Sequence, residues 1–293
     1  MIEFRKPVLD DGETIRQIVK ESGRMGCEYS FGNIFSWSVP FSVSIAICCD
    51  FFVSYSEADK RYCFPAGSGD LKKIIVELKK DASQRGAPLA LYGVTREDAE
   101  RLSEIYSDEV VISPSRNSFD YIYWTNDLYL LPGKKYRSKR NHITAFEKSN
   151  KWETEEINDG NIEECVNMSV KWAEKNFDKN PMELAMEQTA LATAFKNYGA
   201  LGFFGAILRN ESGIVAFTFG EEINHRIFCT HFEKAYADVR GAYPMINREF
   251  AGMLRKYKYI NREEDAGDEG LRRAKMSYRP AILLEKNVAE FRL

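Results

Sequence analysis

The sequence lacks the ligand spacing of a metal site. None of its six cysteines forms a pair separated by two residues, and its three histidines do not have zinc-finger spacing. Structural zinc sites and disulfide frameworks both depend on such regular spacings. We therefore expect no metal, free thiols and a reducing, cytoplasmic compartment.

Long hydrophobic runs are also missing. The longest one, residues 43–55, contains Asp50 and is too short to cross a bilayer. Residues 1–7 have no apolar core of the kind that signal peptides carry. We expect a cytoplasmic protein without a transmembrane segment.

Positive charge is in slight deficit, with 41 Lys and Arg against 44 Asp and Glu and a net charge of -3. This balance argues against a general nucleic-acid- or membrane-binding protein and against a DNA partner, so any anion must bind locally. The segment Gly133–His142 is the exception, because it packs five fixed positive charges and a histidine into ten residues. It predicts contacts with phosphate groups, or alternatively the solvated start of a basic helix.

The chain of 293 residues is long enough for two domains. Apolar periodicity in its second half predicts a strand, two helices, a three-stranded antiparallel meander, and then alternating helices and strands. These elements cover residues 152–157, 161–176, 181–198, 201–208, 214–221, 226–233, 243–257, 259–263, 269–278 and 281–285. The first half follows the same order more loosely.

The first half predicts strands at 2–5, 42–55, 61–65, 89–92 and 119–124, with helices at 10–21, from 71 and at 95–106. Gly67–Asp70 precedes the second of these helices. Asp70 would repel an anion but suits an N-cap, so we interpret this turn as structural. Thr95 and Asp98 are spaced as in a capping box.

This element order resembles the Gcn5-related N-acetyltransferase (GNAT) fold. Together with the basic segment and residues 264–280, it resembles the soluble C-terminal domain of phosphatidylglycerol lysyltransferases over essentially the whole chain. The resemblance implies an α+β protein with two tandem acetyltransferase-like domains, each a mixed, mostly antiparallel sheet flanked by helices. Residues 1–127 would form a degenerate domain, and residues 128–293 would carry the active site.

The resemblance implies an acyl- or aminoacyltransferase that transfers directly to an amine or hydroxyl acceptor. The donor would be coenzyme A with its acyl group or an aminoacyl-tRNA, that is, a phosphorylated molecule. An inactive module that binds a nucleotide, coenzyme A or RNA is the alternative. Peptidoglycan-type aminoacyl ligases also pair such domains, but they commonly carry a coiled-coil arm, and the sequence has no heptad stretch.

In the acetyltransferase fold, backbone N–H groups at the start of the helix after the meander hold the donor pyrophosphate, because a helix N-terminus favours an anion. The corresponding residues are Val239, Arg240, Gly241, Ala242 and Tyr243. The expected contacts to substrate phosphates are Lys135, Arg137, Lys139, Arg140, Asn141, His142 and Lys275.

Transfer requires a base and a proton donor. Strand periodicity places Cys229, His231 and Glu233 on one face, which makes His231 and Glu233 the candidate bases. The resemblance suggests Tyr278 as the proton donor and Asp265, which follows Glu264, as a further catalytic residue, with Lys275 pairing with Asp265 or contacting a phosphate. Cys229 invites an acyl-enzyme mechanism, but we expect direct transfer.

Overall fold

The computed structural model describes residues 2–177 and 180–292. Its first part contains helices α1 to α4 and strands β1 to β6. In chain order these are α1 (Asp11–Ser22), α2 (Phe31–Trp37), β1 (Val43–Cys48), β2 (Phe51–Ser56), β3 (Arg61–Cys63), β4 (Ala66–Gly67), α3 (Leu71–Gln84), β5 (Ala90–Val94), α4 (Arg96–Tyr106) and β6 (Val110–Pro114).

The second part contains α5 to α10 and β7 to β14. In chain order these are β7 (Asp120–Trp124), α5 (Thr125–Leu130), α6 (Arg137–Ser149), β8 (Glu153–Glu156), α7 (Ile162–Asn176), α8 (Pro181–Lys196), β9 (Phe204–Asn210), β10 (Gly213–Asn224), β11 (Ile227–Ala235), α9 (Ala242–Met253), β12 (Tyr259–Asn261), α10 (Glu269–Met276), β13 (Ile282–Leu284) and β14 (Asn287–Phe291).

Local signals explain several of these elements. Asp70 caps α3 by accepting a hydrogen bond from the Lys72 amide at 2.8 Å, as predicted. Thr95 and Asp98 form the predicted capping box of α4. The apolar stripe of α3 is fully buried. The sequence therefore located both helices through their caps and their buried faces.

The predicted single strand at 42–55 is wrong. The segment forms a hairpin in which β1 pairs antiparallel with β2 from Val43↔Ser56 to Cys48↔Phe51. The turn residues Cys49 and Asp50 have φ values of 55° and 64°. Two consecutive left-handed residues produce the tight turn that matches strand twist. The predicted strand at 2–5 is reduced to one bridge between Arg5 and Ile45.

Two mixed, mostly antiparallel sheets form the molecule. The first has the order β1-β2-β3-β5-β14-β6, with β4 beside β2, and the second has the order β13-β7-β12-β11-β10-β9-β8. Each sheet thus includes one strand from across the predicted boundary at residue 127, because β14 lies in the first sheet and β7 in the second. The division into residues 1–127 and 128–293 stays a prediction, and it would separate both strands from their sheets.

The second sheet positions the site. Its predicted meander, β9 to β11, is confirmed as antiparallel. Helices α7 and α8 pack with α1 and α2 on one face, and α5, α6 and α9 cover the other. No helix among the described residues has the length and apolarity needed to cross a membrane.

Candidate functional site

The strands β11 and β12 diverge in the second sheet. They pair in parallel from Ile227↔Tyr259 to Cys229↔Asn261, after which β11 continues without this partner to Ala235. The residues after the last pair therefore project from two separating backbones. Four consecutive charged residues, Arg262, Glu263, Glu264 and Asp265, follow β12 at this point.

A β-bulge changes which side chains share a face of β11. Phe219 is opposite Phe232 and Gly220 is opposite Thr230, so His231 is the extra residue. Cys229 and His231 consequently lie together near Glu263, whereas Glu233 contacts Arg262 and Asn247. The prediction that His231 and Glu233 share one face is wrong, because strict alternation does not survive a bulge.

Glu233 binds the largely buried side chain of Arg262. Its Oε1 accepts a hydrogen bond from Arg262 Nη2 at 2.8 Å, and its Oε2 lies 3.4 Å from Asn247 Nδ2. The side chains of Glu233 and Arg262 are each 13% exposed. Within residues 2–177 and 180–292, Arg262 Nη1 and Asn247 Oδ1 are buried without a hydrogen-bond partner. One donor and one acceptor thus remain for a further group beside Glu233.

Tyr278 joins this arginine to the basic helix α6. The Arg262 guanidinium lies 5.1 Å from the centre of the Tyr278 ring, and Lys139 Nζ lies 4.0 Å from it. Burial raises the pKa of Tyr278 above its ordinary value, so the phenol is protonated at neutral pH. Burial, assisted by the charge of Arg262 and opposed by Glu233, lowers the pKa of Lys139 to about 8.

We call Glu233, Arg262, Asn247, Tyr278 and Lys139 the Glu233 cluster. It combines an amine that is partly neutral near pH 8, a protonated phenol and an unpaired guanidinium N–H. A neutral amine can accept a proton, a phenol can donate one, and a fixed N–H can stabilise a developing oxyanion. These are the functions that acyl transfer requires.

The predicted anion-binding loop lies directly beside α6. Gly241 has φ +89°, and a Cβ atom built on it would lie 2.4 Å from the carbonyl oxygen of His142. Only glycine allows this close approach in a left-handed conformation. The structure therefore brings together two segments that were predicted separately, the loop 239–243 and the basic segment.

The start of α9 offers few donors to a pyrophosphate. The Ala242 amide already donates to the Val239 carbonyl at 3.1 Å. Pro244 has no amide hydrogen, and the Met245 amide donates to the Gly241 carbonyl at 3.0 Å. Among the described residues of this loop, the amides of Arg240, Gly241 and Tyr243 have no hydrogen-bond partner. A pyrophosphate at the start of α9 would therefore depend on these three amides, because Ala242 and Pro244 offer none.

The basic segment divides between internal and external roles. Lys135 pairs with Asp127 at 3.1 Å, and Arg140 donates to the carbonyls of Leu131 and Gly133. Lys139 belongs to the Glu233 cluster. Besides Lys135, the residues with exposed side chains are Lys134, Arg137, Ser138, Asn141 and His142. The alternative interpretation, in which the basic segment is the start of a helix, is correct for the backbone, since α6 begins at Arg137.

His231 is at the centre of a second charged cluster. Its Nδ1 lies 2.7 Å from Glu263 Oε1, and its Nε2 lies 3.2 Å from Glu221 Oε1. Although burial disfavours the charge, the neighbouring Cys229 and both glutamates raise the pKa of His231 well above its ordinary value. A protonated imidazole with both nitrogens engaged cannot accept a proton. This His231 cluster is therefore unsuited to general-base catalysis.

Burial also raises the pKa of Cys229 to about 12. The thiol is protonated at neutral pH, and a protonated thiol is a poor nucleophile. Cys229, His231 and Glu263 nevertheless have ligand atoms within 4.8 Å of one another, as do Cys27, Glu28 and Asp120. These two groups are the places among the described residues where a metal could bind, and the expected absence of a metal stays a prediction.

Asp265 and Lys275 occupy supporting positions. Arg116, Arg272, the Tyr121 hydroxyl and the Gly267 amide all bind the buried Asp265 carboxylate. These bonds overcome its burial and hold its pKa below the ordinary range. Lys275 does not pair with Asp265, because its ammonium donates to the carbonyls of Arg262, Glu263 and Glu264. Both residues fix the segment that carries Arg262.

Sequence reasoning missed Arg262 and Asn247. It also missed a buried lysine, Lys286, which pairs with Asp120 at 2.8 Å and with Glu28. For Arg262, the signal available in the sequence was the run of four charged residues after β12, because such a run is unusual beside a buried strand. Glu264 in this run reaches Cys27 Sγ at 3.3 Å.

The two mixed sheets with flanking helices define the class of proteins with a tandem acetyltransferase-like fold. A tandem GNAT protein from the clavulanic acid biosynthesis pathway is 9% identical and has a TM-score of 0.50, with 99% of this chain and 98% of that chain covered. The predicted fold class is confirmed by this likeness and by the two mixed sheets.

The family model for the C-terminal domain of phosphatidylglycerol lysyltransferase matches residues 19–290. The chain belongs to this family, as its sequence predicted. L-PGS from Bacillus licheniformis is 16% identical with a TM-score of 0.65, covering 96% of this chain and 92% of that chain, which shows the shared fold. A conserved protein of unknown function from Bacteroides thetaiotaomicron VPI-5482 is 39% identical with a TM-score of 0.96 over 100% of both chains. None of the curated proteins matches by sequence.

Proposed function

We propose that this chain transfers an aminoacyl group from an aminoacyl-tRNA directly to an amine or hydroxyl acceptor at the Glu233 cluster. The observation that carries the proposal is the position of Lys139. This lysine belongs to the basic helix, yet its amine lies over Tyr278 with a pKa of about 8. One helix thus supplies both a proton acceptor and an exposed basic surface beside it.

The acceptor attacks the ester carbonyl carbon while neutral Lys139 takes its proton. Arg262 Nη1, which has no other partner within the described ranges, donates to the carbonyl oxygen as that oxygen becomes negative. Glu233 positions this guanidinium through its 2.8 Å bond.

The carbon–oxygen bond to the tRNA ribose then breaks, and Tyr278 donates its proton to the departing oxygen. Protonated Lys139 returns a proton to the Tyr278 phenolate, which restores both groups. Lys139 Nζ lies over the face of the Tyr278 ring, 4.0 Å from its centre, so in this mechanism a water molecule carries the proton from the amine to the phenolate oxygen. Each transfer therefore consumes one ester and one acceptor and leaves the protein unchanged.

The choice of tRNA over coenzyme A as the donor rests on the N-terminus of α9. Within the described part, neither Ala242 nor Pro244 offers a free amide at the start of α9, and the His142 backbone closes one side of Gly241. By contrast, the exposed Arg137, Asn141 and His142 side chains of α6 could contact a larger phosphate backbone. Coenzyme A as the donor stays a prediction with weaker support.

The test compares donors directly. We expect charged tRNA to raise the melting temperature of the protein more than acetyl-coenzyme A does, and its effect to weaken with salt. With protein in excess, labelled amino acid should then move from the tRNA to ethanolamine, which offers both an amine and a hydroxyl.

Stabilisation by acetyl-coenzyme A alone would contradict the choice of donor. Binding of charged tRNA with no loss of its aminoacyl group would favour the alternative of an inactive RNA-binding module. An Arg137→Glu variant should weaken tRNA binding. Lys148→Glu changes charge equally at an exposed position later in α6 and is the matched control.

A further inference from the structure

A second basic surface lies at the other end of β11 and β12. Trp124, Thr125, Asn126 and the segment 255–258 line a cavity of about 310 Å³, which we call the Trp124 pocket. It is beside Tyr259, the first residue of β12, whereas the Glu233 cluster follows the last residue of that strand. The pocket is thus separate from the proposed transfer site.

Positive charge dominates this pocket. Arg255, Lys256 and Lys258 are exposed, and Arg226 is exposed beside Tyr259. Two carboxylates are close, but Glu222 accepts a hydrogen bond from Tyr257 at 2.7 Å, and Asp127 pairs with Lys135 at 3.1 Å. Such a concentration of cations in a protein of net charge -3 favours a polyanionic partner.

An aromatic surface accompanies the cations. Trp124 is 42% exposed, and its ring centre lies 4.7 Å from that of Tyr259. Lys258 Nζ lies 5.0 Å from the Trp124 ring. Because Tyr259 packs against the Trp124 indole, the indole loses little conformational freedom when a base stacks on it. Aromatic rings interleaved with cations are typical of single-stranded nucleic-acid sites.

The pocket also contains hydrogen-bonding groups. Asn126 is exposed, and Thr125 is only 2% exposed while its hydroxyl has no hydrogen-bond partner in the part of the chain that is described. A buried hydroxyl without a partner is costly unless a ligand completes it. A membrane surface explains the pocket less well, because a concave, polar lining and a half-covered Trp124 offer little apolar area for insertion.

We propose that the Trp124 pocket binds one nucleotide of single-stranded RNA, with the base stacked on Trp124 and the adjoining phosphates held by Lys256 and Lys258. Only the identity of this RNA as the tRNA donor rests on the proposed function. Glu233 lies six residue steps after Ile227 along β11, or about 20 Å of strand. One RNA molecule can therefore occupy the pocket while its aminoacylated end lies at the Glu233 cluster.

The test is a fluorescence titration of the whole chain with a single-stranded RNA of about twelve nucleotides, a length in the range of such sites. Stacking should quench tryptophan emission in the wild type, and Trp124→Phe should remove the quenching. Trp124→Ala should weaken binding about tenfold or more.

The double variant Lys256→Glu/Lys258→Glu should reduce the salt slope of log K by about 1.4, since each lost contact to a single strand contributes about 0.7. The control Lys72→Glu/Lys73→Glu makes the same charge change on two exposed residues of α3. It should bind RNA like the wild type. Melting temperatures of all variants verify that each one is folded.

Equal RNA binding by the pocket variants and the α3 control would overturn the proposal. The proposal would also be overturned if the protein bound phosphatidylglycerol vesicles through Lys256 and Lys258 but did not bind RNA. Each of the two proposals can be contradicted without the other. RNA binding at the pocket without aminoacyl transfer would contradict only the proposed function, and transfer that is indifferent to the pocket variants at subsaturating tRNA would contradict only this inference.

Discussion

The two charged clusters around β11 contain similar side chains but differ in what is left unsatisfied. His231 has both ring nitrogens bonded to glutamates, and its pKa is raised. The Glu233 cluster has an unpaired guanidinium N–H and an amine whose pKa is lowered to about 8. A completed network rigidifies a fold, whereas groups without partners and a titrating amine can act on a substrate.

The Lys139→Met variant should affect transfer most. It removes the proposed base while it retains much of the apolar stem, so we expect the transfer rate to fall by about 10²–10⁴-fold. Single-turnover transfer from charged tRNA measures this. Lys148→Met, on the exposed surface of the same helix, should be as active as the wild type. Equal rates for both variants would exclude Lys139 as the base.

The His231→Ala variant should lower the stability of the protein, in contrast to Lys139→Met, which should lower the transfer rate. It leaves Glu263 without its imidazolium partner and, among the described residues, Glu221 with only the 3.5 Å ion pair to Arg16, which costs about 3–5 kcal/mol in the free energy of unfolding. Urea denaturation measures the change. His225→Ala, at an exposed turn, should change it by less than about 0.5 kcal/mol. A stable but inactive His231→Ala protein would mean that catalysis involves the His231 cluster.

The Tyr278→Phe variant sharpens the assignment of the proton donor. It keeps the ring beneath Lys139 but removes the hydroxyl, so transfer should slow by about 10²-fold, at the lower end of general acid catalysis. Unfolding free energy should change little. The rate is measured as for Lys139→Met. A Tyr278→Phe protein with the wild-type rate would leave Tyr278 as a packing residue.

The Cys229→Ala variant should have the smallest effect on transfer. Because burial raises the pKa of this thiol to about 12, direct transfer does not use it. The rate should therefore match that of the wild type once a modest loss of stability is allowed for. Mass spectrometry of the wild type after reaction with charged tRNA gives an independent check, since an aminoacyl adduct on Cys229 would indicate an acyl-enzyme route.

Periodicity predicted the meander of the second sheet, and caps predicted the helices α3 and α4 that pack on the first sheet. The meander, α3 and α4 depend on neighbours within one element, which sequence displays directly. The hairpin at Cys49 and Asp50 was missed because an uninterrupted apolar run conceals a two-residue turn. The bulge at His231 was missed because alternation assumes regular pairing, and this error moved Glu233 to the wrong face.

The site itself was only partly visible in the sequence. Lys139 was noted as part of a basic segment, but its lowered pKa depends on burial and on Arg262, which is more than a hundred residues away in the chain. Tyr278 was suggested by family resemblance. Asn247 gave no local signal, and the charged run that contains Arg262 did not reveal its role, because the roles of both residues arise from the separation of β11 and β12.

The pH dependence of single-turnover transfer tests the central claim most directly. The lowered pKa means that Lys139 becomes neutral as the pH rises through about 8, so the rate should increase across this range and then level off. Correction for spontaneous ester hydrolysis, measured without protein, is the necessary control. Loss of this rise in Lys139→Met would support Lys139 as the base. An unchanged rise in that variant, at a comparable rate, would contradict it.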